Sequence, residues 1–114
     1  MAHCPCRGDE ILVGDLAHII MWEEGGVAQV AGVHTRQVHT NLDGTLDLLD
    51  IENKVRSVGD AHLPISRLIC IEQTHNGTGD RVLPLEYLRQ VMVVFNFIIS
   101  FSFYGSESLV KVCC

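Results

Sequence analysis

Residues 66–76 read SRLICIEQTHN: an apolar run passes directly into Glu72, Gln73, Thr74, His75 and Asn76, five polar side chains in succession. A strand that is apolar at nearly every position is buried on both faces, the condition of a parallel sheet covered by helices. Polar groups at its end need a partner, water or a ligand. Open α/β sheets bind ligands outside the carboxyl ends of their strands. This junction is therefore the first place to look for a site.

The rest of the chain supplies the other layers of such a fold. Ile11-Leu12-Val13 before Gly14-Asp15 reads as a short buried strand ending in a turn. Asp15 can cap a helix carrying Ile19, Ile20, Val27, Val30 and Ala31 at rough helical spacing, broken by a turn at Gly25-Gly26. Residues 37–40 read as a short strand before the turn at Asn41 to Gly44. Asp47 precedes a surface helix with Leu48, Leu49, Ile51, Val55 and Val58, and Lys54 and Arg56 lie toward its end. After the strand at 66–72, residues 74–84 are a loop, and Pro84 stands at or near N1 of a helix through Leu85, Leu88 and Val91. Strands alternating with helices imply an α/β layer with a parallel sheet.

The chain of 114 residues is enough for one small domain. A formal charge of −6 gives no electrostatic footprint for nucleic acid. The five cysteines, Cys4, Cys6, Cys70, Cys113 and Cys114, are odd in number and unevenly spaced, unlike a secreted disulfide framework. Met1 to Asp9 has no apolar signal-peptide core, so a reducing, cytoplasmic location is expected. Residues 91–104, VMVVFNFIISFSFY, carry no charge and show no amphipathic pattern. They are shorter than the roughly 18–20 residues of a membrane span, and read as a buried strand or an aggregation-prone tail. Residues 105–114 are featureless.

Two histidines stand where chemistry is expected. His18 follows a strand and turn, where imidazole can stack on a flat ring or exchange protons near neutral pH; the plainer alternative is a hydrogen-bonded surface histidine. His75 lies at the end of the apolar strand between Thr74 and Asn76, and Glu72 can fix its tautomer if it lies close. A solvated turn explains Thr74 to Gly77 equally well, because Asn-Gly is a turn dipeptide. His3-Cys4-Pro5-Cys6 is too tight for a structural zinc site, and no second pair completes it, so no metal is expected. No phosphate-binding glycine loop, GxSxG elbow or HExxH motif is present.

HCPCRGDEILVGDLAHI, EEGGVAQVAGVH, DGTLDL, RLICIEQTHN and RVLPLEYL resemble, in order and spacing, blocks of the low-specificity threonine aldolases, from about residue 3 to residue 92. These are fold type I enzymes dependent on pyridoxal phosphate. They cleave threonine and allo-threonine to glycine and acetaldehyde, and hold the cofactor through a lysine Schiff base. The resemblance implies that His18 stacks on the cofactor ring, with a catalytic part, and that His75 is catalytic beside the substrate's β-hydroxyl. It implies an amino-acid substrate, no metal, and homo-oligomeric assembly with sites shared between subunits.

Departures accompany the match. Gln73, Trp22 and Asp80 stand where the family usually has asparagine, tyrosine and glycine, and the only lysines, Lys54 and Lys111, are outside the family's SKG setting. The DGAR aspartate and the SGT phosphate turn are also missing. The expectation is a partial aldolase large domain over 1–92 and an unrelated apolar tail over 93–114, inactive alone. The competing expectations are a noncatalytic isoform that binds full-length subunits, and membrane anchoring through residues 91–104.

Overall fold

The computed structural model describes residues 4, 6–56, 60–100 and 109–113, with side chains up to residue 96. Its centre is a four-stranded sheet of β1 (Glu10–Gly14), β2 (His34–Val38), β3 (Ser66–Glu72) and β4 (Leu109–Cys113), in the order β2-β1-β3-β4. Every pairing between these strands is parallel. Parallel neighbours require crossovers. Here these carry α1 (His18–Met21) with a π-helical turn at Val27–Ala31, α2 (Leu48–Lys54), and α3 (Leu85–Ser100).

The apolar run in β3 is buried on both faces, as its composition implies. Leu12, Val38, Ile69 and Ile71 pack on one face with Ile51 of α2 and with Val91 and Phe95 of α3. Ile11, Val13, Leu68 and Cys70 face the other way, joined by Ala17 and Val33. The alternation follows from the strand period of two.

Strand β3 occupies the predicted residues and the glycine turn is present, with positive φ at Glu24 (50°) and Gly25 (73°). Other expectations are corrected. Strand β2 spans His34–Val38 and stops short of Thr40, which instead bridges to Leu46. Asp15 caps no helix: its Oδ1 accepts from the Thr40 amide at 2.9 Å, tying the β1 loop to the chain leaving β2. Asp47 does cap α2, accepting from the amides of Leu49 and Asp50. That helix ends at Lys54 because Val55 turns extended, and Val58 lies outside the described residues.

The largest correction concerns residues 91–104. Residues 91–100 are not a strand: α3 continues without a break to Ser100, and residues 101–104 lie outside the described residues. Val91 and Phe95, one helical turn apart, are both fully buried, with Leu88 and Val94 packed beside them. The helical spacing was hidden because the exposed positions Met92 and Val93 are apolar too. Nor is the end of the chain featureless, since residues 109–113 pair with β3 from Leu68 to Glu72. Pro84 falls one residue before α3, and its carbonyl accepts from Leu88 at 3.2 Å. Among the described residues no helix is long and apolar enough to cross a membrane.

Candidate functional site

The carboxyl ends of β1 and β3 open onto a trough of about 890 Å³. Its floor is the sheet face of Ile11, Val13, Leu68 and Cys70, and its side wall is formed by Val27, Val30 and Ala31. Polar groups gather at one end, where His18, Glu23, Glu72, Gln73 and Thr74 stand. A mostly apolar concavity with a few convergent polar groups is the usual form of a small-molecule site.

His18 opens α1 on the trough rim. Its side chain is 48% exposed, and Nε2 lies 3.2 Å from Glu23 Oε1. It is thus both a surface histidine with a polar partner and a lining residue. His75 is different. Its side chain is only 2% exposed, and neither Nδ1 nor Nε2 has a hydrogen-bond partner among the described residues. This rules out the solvated-turn reading of the imidazole, although a 3-10 turn does follow at Asn76–Thr78. His75 is not itself a lining residue: it lies behind the polar end of the trough, under the turn carrying Gly44.

Glu72 joins the two histidines. Its Oε2 accepts from the His18 amide at 2.9 Å and lies 3.9 Å from His75 Nε2, while Oε1 accepts from the Asn76 amide at 2.9 Å. Gln73 Oε1 accepts from the Leu83 amide at 2.8 Å and so fastens the returning loop. The 41–45 turn that covers His75 is also pinned. Asp43 Oδ1 accepts from the Thr45 hydroxyl at 2.6 Å and its amide at 3.0 Å, and these bonds hold the Asp43 carboxyl below its ordinary range. Gly44 has φ 88°, and a Cβ there would lie 3.1 Å from the Cβ of His75.

Glu23 and Gly44 were missed by sequence reasoning. Glu23 lies two residues past the end of α1, where no helical spacing pairs it with His18, and Gly44 read only as part of a turn. Cys4 and Cys70 also line the trough, neither in a disulfide among the described residues, and burial pushes the Cys4 thiol up. Among the described residues no group of three or more His, Cys, Asp or Glu side chains gathers to hold a metal ion.

An open parallel sheet with its polar cluster at the carboxyl ends of the strands is the arrangement of an α/β domain with a ligand site. A family model described as beta-eliminating lyase matches residues 1–96, and the chain belongs to that family. It is 46% identical over 92 residues to a probable low-specificity L-threonine aldolase 2 of Arabidopsis thaliana, covering 80% of this chain and 26% of that protein. It is 37% identical over 90 residues to a low specificity L-threonine aldolase of Escherichia coli, covering 79% and 26%. The solved Leishmania major threonine aldolase superposes with a TM-score of 0.71 at 18% identity, covering 97% of this chain and 29% of that one. The chain thus spans roughly a quarter of the length of the relatives it matches, and is a partial domain of the fold type I class.

The family implies pyridoxal phosphate, and one wall of the site suits it. A half-exposed imidazole at the polar end of an apolar trough can face a flat ring, and a buried imidazole without a hydrogen-bond partner among the described residues marks a polar site still to be completed. The described side chains offer the trough no lysine. Lys54 Nζ is engaged elsewhere, donating to the Gln37 carbonyl at 2.8 Å and to Asp50 at 2.7 Å.

Proposed function

We propose that this chain forms one wall of a pyridoxal phosphate site for retro-aldol cleavage of L-threonine and L-allo-threonine to glycine and acetaldehyde. The observation that supports it is the buried His75 imidazole, without a hydrogen-bond partner at either nitrogen among the described residues and 3.9 Å from the Glu72 oxygen that accepts from the His18 amide. When bound, pyridoxal phosphate supplies an electron sink for a carbanion. His18 stacks on its ring from the rim, and His75 takes the proton of the substrate's β-hydroxyl. The anchoring amine comes from another stretch of polypeptide, within a cytoplasmic homo-oligomer. Residues 1–92 are the inherited part and 93–114 a foreign end, which transcript mapping across codons 88–95 tests.

An extended form that supplies the Schiff-base lysine is expected to release glycine from threonine. His75→Asn in that form slows turnover by about 100-fold, within the range of a positioned acid–base group. No glycine release from the extended form overturns the reading. The 114-residue chain, incubated with pyridoxal phosphate and dialysed, is expected to keep no visible absorbance. A second reading, a noncatalytic partner of full-length subunits, is favoured by the open apolar trough; co-purification at a defined stoichiometry supports it.

A further inference from the structure

We infer that Glu72 is a positioning residue that holds the hydrogen of His75 on Nε2 and leaves Nδ1 as the proton-accepting atom. This rests on the proposed role of His75. Both oxygens of Glu72 already accept backbone hydrogens, Oε2 from His18 and Oε1 from Asn76, so the carboxylate is fixed at both ends. Three sequence-distant or loop positions are thereby set by one side chain: the start of α1, the turn after β3, and the imidazole between them. Glu72 Oε2 is 3.9 Å from His75 Nε2, and among the described residues neither ring nitrogen has a hydrogen-bond partner. An ionised carboxylate offers only lone pairs. The tautomer that turns N–H toward it is favoured over the one that turns a lone pair toward it. In a side chain that is 2% exposed, water does not level that difference. Because the same oxygen binds the His18 amide, a shift of Glu72 moves both histidines together.

The 114-residue chain labelled at histidine nitrogen tests this by long-range nitrogen–proton correlation, which reports the tautomer directly. The wild-type chain is expected to show His75 as one tautomer protonated on Nε2, with downfield amide protons at His18 and Asn76. Glu72→Gln is expected to mix the tautomers and shift both amides upfield, and Glu72→Asp to restore the Nε2–H form in part. A wild-type His75 protonated on Nδ1, or one averaged evenly between both nitrogens, overturns the inference without any variant. So does an unchanged tautomer in a folded Glu72→Gln chain. These readouts need neither cofactor nor turnover. Glycine release with the wrong tautomer sinks the role of Glu72 alone, and the expected tautomer without glycine release sinks the aldol reading alone.

Discussion

Single side chains set the shape of this site through close approaches. Gly14 ends β1 where a Cβ would lie 2.6 Å from Thr40 Oγ1 and 2.8 Å from Leu46 Cδ2. Gly14→Ala is expected to cost about 1–3 kcal/mol, the usual penalty of overpacking, read as a lower urea midpoint with unchanged slope. His75 shows how far residue type and position could be read in advance. An imidazole after an apolar strand was visible as a candidate, but its burial depends on Gly44 and its turn, about thirty residues earlier in the chain. No local spacing encodes that contact. His18 was legible as a rim residue for the opposite reason: the turn after β1 leaves it on the surface whatever packs elsewhere.

Among the elements, α3 is fastened to the turn before α2 by one phenol. Tyr87 donates to the Leu46 carbonyl at 3.0 Å and accepts from the Leu46 amide at 2.7 Å. Tyr87→Phe leaves two backbone groups without that partner and is expected to cost about 1–3 kcal/mol. Burial pushes the Tyr87 hydroxyl up to about 12 from 10.0. A raised folded value means its contribution is complete below pH 10.0 and is lost as pH climbs through about 12. Denaturant midpoints followed over that window should fall in the wild-type chain, and fall less in Tyr87→Phe. The helix itself was legible only as far as Val91. Beyond that point the uniformly apolar sequence concealed its period, and burial of Val91 and Phe95 beneath exposed Met92 and Val93 emerges only once the sheet is in place. Strand β3 was fully legible because burial on both faces is written into every one of its central residues.

At the scale of the whole molecule, one face of the sheet is covered by α2 and α3, while the other opens into the trough. Val30, which lines that opening, is 65% exposed, and Met21 (52%) and Trp22 (70%), between the lining residues Ile19 and Glu23 in sequence, are exposed as well. An apolar surface of this kind promotes self-association. Light scattering is expected to rise with protein concentration, and Val30→Lys with Trp22→Gln to suppress it without lowering the melting temperature. The α/β class was readable from the alternation of elements, yet the pairing of residues 109–113 with β3 was not: an edge strand is recognised by its neighbour as much as by its own residues. The all-parallel arrangement of the named strands also fixes when the chain can assemble. Neighbours of this kind cannot zip from a tight bend, so the microsecond head start of a hairpin is denied to them. During synthesis β1 must wait, bare, for β2 on one side and for β3 on the other. Strand β4, made after the other three, joins β3 last, which makes this a slow starter with sticky, solitary ribbons while it is being made.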